Sequence, residues 1–166
     1  MKNLKRILAV AIIALGMNTI NAQSSVGHVN LGEIIQLMPE TKKMNEDLEK
    51  LGKTYEDELV AKQAALEALT KRYTTEAATQ TEEENQKRAL EVQTEQQKIQ
   101  MGYQVAQQDI EKKGNELMEP IIKKARQAVD DVAAELKLDY ILDANSIITA
   151  NGTDITAKVK AKLGIQ

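Results

Sequence analysis

Two long stretches of the chain place apolar side chains at a helical spacing. The first runs from Glu40 to about Ala77 with no proline and one glycine, and the second runs from Val92 to Leu136. In each stretch 33 residues (44 to 77 and 99 to 132) cover nine turns, or about 3.67 residues per turn, the period of an eleven-residue repeat. Equal periods predict one antiparallel helical hairpin whose apolar stripes face each other in register.

These apolar positions are the candidate seam of the hairpin and also the candidate surface for a binding partner. We expect most of them to pack between the two helices and the remainder to be exposed, where flexible methionines would suit varied partners. The candidates are Met44, Leu48, Leu51, Tyr55, Leu59, Leu66, Leu69 and Tyr73 on the first helix, and Ile99, Met101, Tyr103, Ile110, Leu117 and Met118 on the second.

The ends of the two helices carry their own signals. Pro39 suits the first turn of a helix, where a missing N–H has no partner to lose, and a first helix of roughly 38 residues would be about 57 Å long. The turn is expected near 74–82, followed by a capping box formed by Thr81 and Glu84. Pro120 interrupts the second helix, where it is a tolerated kink or, alternatively, a hinge for the arm.

The two ends of the chain are predicted to form a small sheet. Val26 to Leu31 is one strand, and Tyr140–Leu142 and Ile147–Thr149 are expected to form a β-hairpin. Asn151-Gly152 indicates a turn with positive φ, and Asp154 can cap a closing helix that ends at Gly164. Because a sheet of only a few short strands has marginal stability, we expect several chains to complete it. Its candidate residues are Val26, Val29, Leu31, Tyr140, Ile141, Leu142, Ile147 and Ile148.

The first 22 residues have the pattern of a secretory signal peptide. Three basic residues precede an apolar run from Ile7 to Met17, which is shorter than the roughly 20 residues that span a bilayer, so a retained anchor is the less favoured alternative. Cleavage is expected near Ala22. The predicted division is therefore a signal peptide at 1–22, body segments at 23–38 and 138–166, and a helical arm at 39–137.

Composition and charge exclude several classes of function. After removal of the signal peptide the chain has 19 basic and 25 acidic residues, a net charge of −6, which gives no support for binding nucleic acid. The chain has no cysteine, so neither disulfides nor a thiol catalyst are available. It also lacks Phe and Trp and has four Tyr, a thin supply for a compact core, so burial is expected to be completed between chains.

No residue pattern predicts catalysis. His28 is the only histidine and is expected to be packed or on the surface of its strand, and the acidic run Glu82–Glu84 is expected to be a solvated helix start. A nucleophile with its base, a phosphate-binding glycine loop and a zinc motif are all missing from the sequence. We therefore predict a protein that is not an enzyme and holds no metal or cofactor.

The two ends of the chain resemble the Skp/OmpH family. The similarity lies in VGHVNLGEIIQ at 26–36 and LDYILDANSIITANGTDITAKVKAKL at 138–163, which contain the segments VN-x-G, D-x-x-x-DAN and DIT-x-x-V in the family's order around a helical segment. The resemblance implies an α+β, mostly α fold in which coiled-coil-like hairpins project from a small β-rich body. It also implies a homotrimer in the periplasm, an ATP-independent holding chaperone that binds unfolded outer-membrane proteins and so serves outer membrane protein assembly.

The charge of the arm departs from this family. Its well-known members are basic, whereas residues 40–120 here contain 12 basic and 18 acidic side chains. Contact with lipopolysaccharide or membrane is therefore doubtful. The alternative function is that of an exported structural coiled coil or adaptor that bridges components of the cell envelope and binds no unfolded client.

Overall fold

The computed structural model describes residues 25–165, so the predicted signal peptide and its cleavage site lie outside the described residues. The described part is α+β and mostly helical, as the sequence predicts. Its elements are β1 (Val26–Val29), α1 (Leu31–Leu37), α2 (Pro39–Glu76), a 3-10 turn (Ala77–Thr79), α3 (Glu82–Leu136), β2 (Tyr140–Asp143), a second 3-10 turn (Ala144–Ser146), β3 (Thr153–Asp154) and α4 (Thr156–Leu163).

Helices α2 and α3 form an antiparallel arm with one constant register. Their 38 and 55 residues correspond to lengths of about 57 and 82 Å. Tyr55 and Tyr73 are eighteen residues apart on α2, and they bond to Asp109 and Glu91, which are also eighteen residues apart on α3. The matched periods of the two stripes therefore keep the same faces together along the arm, as predicted.

The arm helices begin and end at residues with specific caps. Pro39 is the first residue of α2, and the Thr81 hydroxyl caps α3 by accepting a hydrogen bond from the Glu84 N–H at 3.2 Å. The Glu84 carboxylate lies 3.5 Å from Arg88 Nε. At its other end α3 is closed by Lys137, whose φ of 56° is left-handed and whose N–H bonds to the carbonyls of the last turn.

The sheet differs from the predicted β-hairpin. Its strand order is β2-β1-β3, and both neighbours pair with β1 in parallel, with Val26 opposite Tyr140 and His28 opposite Leu142. Residues 147–149 form no strand. The hairpin prediction is wrong because the arm returns the chain beside β1 and each later strand then pairs with β1 instead of with its neighbour in sequence.

The Asn151-Gly152 turn prediction is also wrong in its physical reason. Among residues 25–165, positive φ occurs at Lys137 and Gly164 alone. Glycine is required at 152 because the chain crosses close to β1: a Cβ there would lie 2.6 Å from the Val26 carbonyl oxygen. Van der Waals repulsion would then force the backbone apart, so the position selects glycine for proximity and not for its dihedral angles.

The closing helix and the core hold the chain ends together. The N-cap residue of α4 is Ile155 and not the predicted Asp154, which lies one residue earlier and whose Oδ1 accepts a hydrogen bond from the Thr156 N–H at 2.8 Å. Gly164 ends α4 with a φ of 71°, as predicted. We call the small sheet, α1, Met38, α4 and the parts of α2 and α3 that pack against them the body. Its core is a continuous cluster comprising Val29, Ile34, Met38, Met44, Ile121, Ala125, Ala128, Val129, Val132, Ile155, Val159 and Ile165.

Candidate interaction surfaces of the body and arm

The terminal sequence motifs meet in one hydrogen-bonded cluster. The Asn30 side-chain oxygen accepts from the Glu33 N–H at 3.0 Å, which caps α1, and from Asn145 Nδ2 at 3.2 Å. The Asn30 N–H donates to Thr156 Oγ1 at 3.0 Å, while Asp143 Oδ1 accepts from the Asn145 N–H at 3.0 Å. These polar groups join the ends of β1, β2 and β3, so the motifs that carry the family resemblance are structural joints of the body.

His28 lies on the face of the sheet that points away from the apolar core of the body. Its side chain is 13% exposed, and Nε2 is 4.0 Å from Asp154 Oδ2 on β3. The pKa of Asp154 is lowered mainly because Thr156 donates hydrogen bonds to its carboxylate. Partial burial acts in the opposite direction, and attraction to His28 lowers the pKa further. The histidine is thus packed in its strand, and its chemistry is that of a strand-to-strand polar contact.

The same outward face of the sheet is apolar and uncovered in the single chain. Register partners in a parallel sheet project to one side, so Val26, Tyr140 and Leu142 share this face, and they are 38%, 61% and 44% exposed. Ile148, just beyond β2, is fully exposed. Of the other sequence candidates, Val29 is buried in the chain's own core, Leu31 and Ile141 pack against that core, and Ile147 is half-buried.

The arm uses most of its predicted apolar positions for its own seam. Met44, Leu59, Leu66 and Ile99 are buried. Seven further candidates are half-buried: Leu48, Leu51, Tyr55, Leu69, Tyr73, Ile110 and Leu117; Met118 is also half-buried, while Met101 and Tyr103 are exposed. Tyr103 has the spacing of the seam, but Gly102 takes the place opposite Leu59, where an added Cβ would lie 2.8 Å from Leu59 Cδ2.

The base of the arm carries an ion pair beside Pro120. Glu40 at the start of α2 binds Lys124 of α3. This hydrogen bond, followed by one from the backbone N–H of Glu40 itself, lowers the pKa of Glu40. Pro120 is exposed within the continuous helix α3. It lies on a surface groove of about 330 Å³ whose apolar floor includes Leu117 and Ile121. Whether it acts as a hinge stays a prediction.

The tip of the arm is held by one arginine. Arg88 is 15% exposed, and its guanidinium lies 3.0 Å from a Glu76 oxygen, 3.5 Å from a Glu84 oxygen and 4.6 Å from the centre of the Tyr73 ring. The Tyr73 hydroxyl donates to Glu91 at 2.6 Å, and this hydrogen bond raises the pKa of Tyr73. These contacts bind α2 to α3 where the apolar seam has ended.

Sequence reasoning missed three exposed apolar side chains of the arm. Val60, Leu90 and Val105 are 59%, 62% and 58% exposed. Leu90 and Val105 could have been found from their spacing relative to Met101. The three positions lie on one face of a helix, and this face is not the one that forms the seam.

Within the range 25–165, no group of three or more His, Asp and Glu side chains is placed to hold a metal ion. Across the described elements, no helix has both the length and the apolar character that crossing a membrane requires.

A long antiparallel helical arm on a small parallel sheet defines a helical-hairpin protein of the α+β class. The family described as "Outer membrane protein (OmpH-like)" matches residues 25–163. The chain therefore belongs to the OmpH family, as the terminal motifs predict.

A solved structure gives the same fold. The crystal structure of a candidate outer membrane chaperone (OmpH-like) from Caulobacter crescentus matches with a TM-score of 0.76 at 20% sequence identity, over 86% of this chain and 85% of that chain. No curated protein sequence matches the chain significantly.

Proposed function

We propose that this protein is an ATP-independent holding chaperone of the periplasm that binds unfolded outer-membrane proteins and prevents their aggregation, without catalysis. In this proposal residues 1–22 direct export, the arm at 39–137 contacts the client, and the two terminal segments at 23–38 and 138–166 form the body. Membership of the OmpH family supports the class of function, and the acidic arm argues against attachment to lipopolysaccharide or membrane.

The observation that carries the proposal is the uncovered apolar face of the sheet at the base of a narrow arm. Tyr140 and Leu142 lie side by side on that face and are largely exposed in the single chain. Covering apolar surface stabilises by about 25 cal/mol per Å², so this face favours association of several copies. A homotrimer joined there would place three arms around a shared space, with many weak contacts for an unfolded chain.

Two measurements test the proposal. Light scattering of a urea-denatured outer-membrane barrel protein, diluted with and without the purified chaperone, is expected to show suppressed aggregation at a few copies of the chain per client. Sedimentation is expected to give a trimer that Leu142→Glu dissociates, while Thr149→Glu, an exposed position nearby, leaves it intact. Undiminished aggregation at excess protein would favour the adaptor function, and a monomer at micromolar concentration would overturn the proposed homotrimer.

A further inference from the structure

Helix α3 has a second stripe of aligned side chains on the side away from α2. Successive residues of a helix are 100° apart, so positions two and six residues beyond the buried Ile99 lie on the far side from the seam. The six residues there follow helical spacings of four, three, four, four and three. We call them the outer stripe: Leu90, Thr94, Gln97, Met101, Val105 and Gln108, all exposed.

The outer stripe is uncharged although the helix around it is not. Residues 82–95 contain seven charged side chains and residues 109–120 contain six, whereas residues 96–108 contain Lys98 alone. The outward side of an exposed helix is normally charged, because water solvates charge there at little cost. A charge-free outward stripe therefore needs a different explanation from solubility.

The outer stripe also holds most of the exposed apolar surface of α3. Leu90, Met101 and Val105 are 62%, 58% and 58% exposed, and the remaining large exposed apolar side chain of α3, Tyr103, lies at the edge of the seam. Isolated apolar residues on a surface are ordinary, but aligned ones within an uncharged stripe form a contact surface. The glutamine amides beside them can donate hydrogen bonds to an extended backbone and accept hydrogen bonds from it.

The geometry points to an occupant: we propose that the outer stripe binds one charge-poor segment of unfolded polypeptide with alternating apolar and neutral polar side chains. This inference rests on the proposed function. From Leu90 to Gln108 the stripe is about 27 Å long, which matches about eight residues of extended chain. That is close to the roughly 9 to 11 residues of one membrane-spanning β-strand.

The absence of charge on the outer stripe favours an uncharged occupant. An uncharged segment loses no ion solvation when it covers an uncharged stripe, whereas a charged segment would bury an unpaired charge. The rest of the arm carries net negative charge and repels acidic segments. Methionine at the centre adapts to side chains of different shape, so one stripe can serve many sequences.

Site-specific photo-cross-linking tests the location. A benzophenone amino acid is placed at Val105 on the outer stripe or at Gln107, an exposed position at the same level on the opposite side of the helix. A denatured outer-membrane barrel protein is then diluted into the full-length chaperone. We expect several-fold more client adduct from position 105 than from position 107.

A charge-matched pair of variants tests the energetics. Met101→Glu/Val105→Glu adds two negative charges to the outer stripe, and we expect it to weaken client binding about tenfold, equivalent to about 1.4 kcal/mol. Gln100→Glu/Gln107→Glu adds the same charge at the same level off the stripe and is expected to change affinity less than about twofold. Circular dichroism of both variants checks that the helix is retained.

The outcomes separate this inference from the proposed function. If the wild-type protein binds client but both positions and both variant pairs behave alike, the outer stripe is not the contact surface and the chaperone function stands. If the wild-type protein binds no client, the proposed function is lost and the inference with it. Adducts from position 105 to another copy of the arm would make the stripe an interface between copies and overturn its role in client binding.

Discussion

The body and the arm bury their apolar side chains to very different extents. The largest fully buried side chains are Ile34, Met38, Ile155, Val132 and Val159, and all of them lie in the body. Beyond its base, the arm has a separate core of Leu59, Leu66 and Ile99, with Val92 packed against it. The body is therefore stabilised mainly by packing, whereas the arm depends on register, helix propensity and polar contacts between α2 and α3.

The largest expected effect comes from truncating one core residue in each region. Ile155→Ala empties a fully buried body position and should lower the free energy of unfolding by about 3 to 4 kcal/mol, whereas Leu66→Ala in the sparse arm core should cost about 2 kcal/mol. Urea unfolding followed by circular dichroism, at one protein concentration, measures both. A larger cost in the arm would reverse the comparison.

Glycine substitutions should have opposite signs in the two regions. Gly152→Ala drives a Cβ against the Val26 carbonyl oxygen and is expected to destabilise the body by about 1 to 3 kcal/mol. Gly114→Ala meets Leu48 at an ordinary 3.5 Å within α3, so the better helix propensity of alanine should stabilise the arm by about 0.5 to 1 kcal/mol. Thermal unfolding of the two variants provides the test, and stabilisation by Gly152→Ala would contradict the close approach.

The left-handed residues that end α3 and α4 offer a matched pair of smaller effects. Lys137 ends α3 in a left-handed conformation that costs a side chain about 1 kcal/mol, so Lys137→Gly is expected to stabilise by about that amount. Gly164 ends α4 with the same handedness, so Gly164→Ala should destabilise by about 1 kcal/mol. Equal signs for the two changes, measured by urea unfolding, would show that one of the caps is not left-handed in solution.

The smallest expected effect is a pH dependence at β3. The folded-state pKa of Asp154 is lowered by hydrogen bonds from Thr156, so its carboxylate stabilises the fold above the ordinary pKa of about 4 and loses this contribution as pH falls through the folded-state value. Asp154→Asn keeps an oxygen acceptor but cannot titrate.

Urea unfolding of Asp154→Asn and wild type across a pH series makes this measurement. The difference in unfolding free energy should be fully present at about pH 5 and should shrink below about pH 4. A difference that grows towards acid would mean that the carboxylate destabilises the body.

The local signals of the helices could be predicted from sequence because each depends on nearby residues. Pro39, Thr81 and Gly164 fix helix ends through their own backbone or side-chain groups, and the equal periods of the two stripes predict an arm in register. Pairing of the strands could not be predicted in this way. A four-residue strand fits beside β1 in either direction, and here the direction is set by the point at which the arm returns.

Exposure on the arm was equally hard to predict residue by residue. Tyr103 fits the seam period, but its neighbour Gly102 is the residue that meets Leu59, because the absent side chain lets the helices approach there. The motif residues Asn30 and Asn145 lie 115 positions apart, and sequence spacing gave no sign that their side chains bond to each other. Such contacts follow from the closed path of the whole chain.

Because α2 and α3 keep one register along the arm, the length of the arm can change in fixed steps. Glu40–Lys124, Tyr55–Asp109 and Tyr73–Glu91 keep one alignment from base to tip. Because eleven residues complete three turns, deleting eleven from each helix would bring equivalent faces back together and shorten the arm by about 16 Å. The length of the arm can thus change in steps of eleven residues per helix, while the contacts at its base and tip are kept.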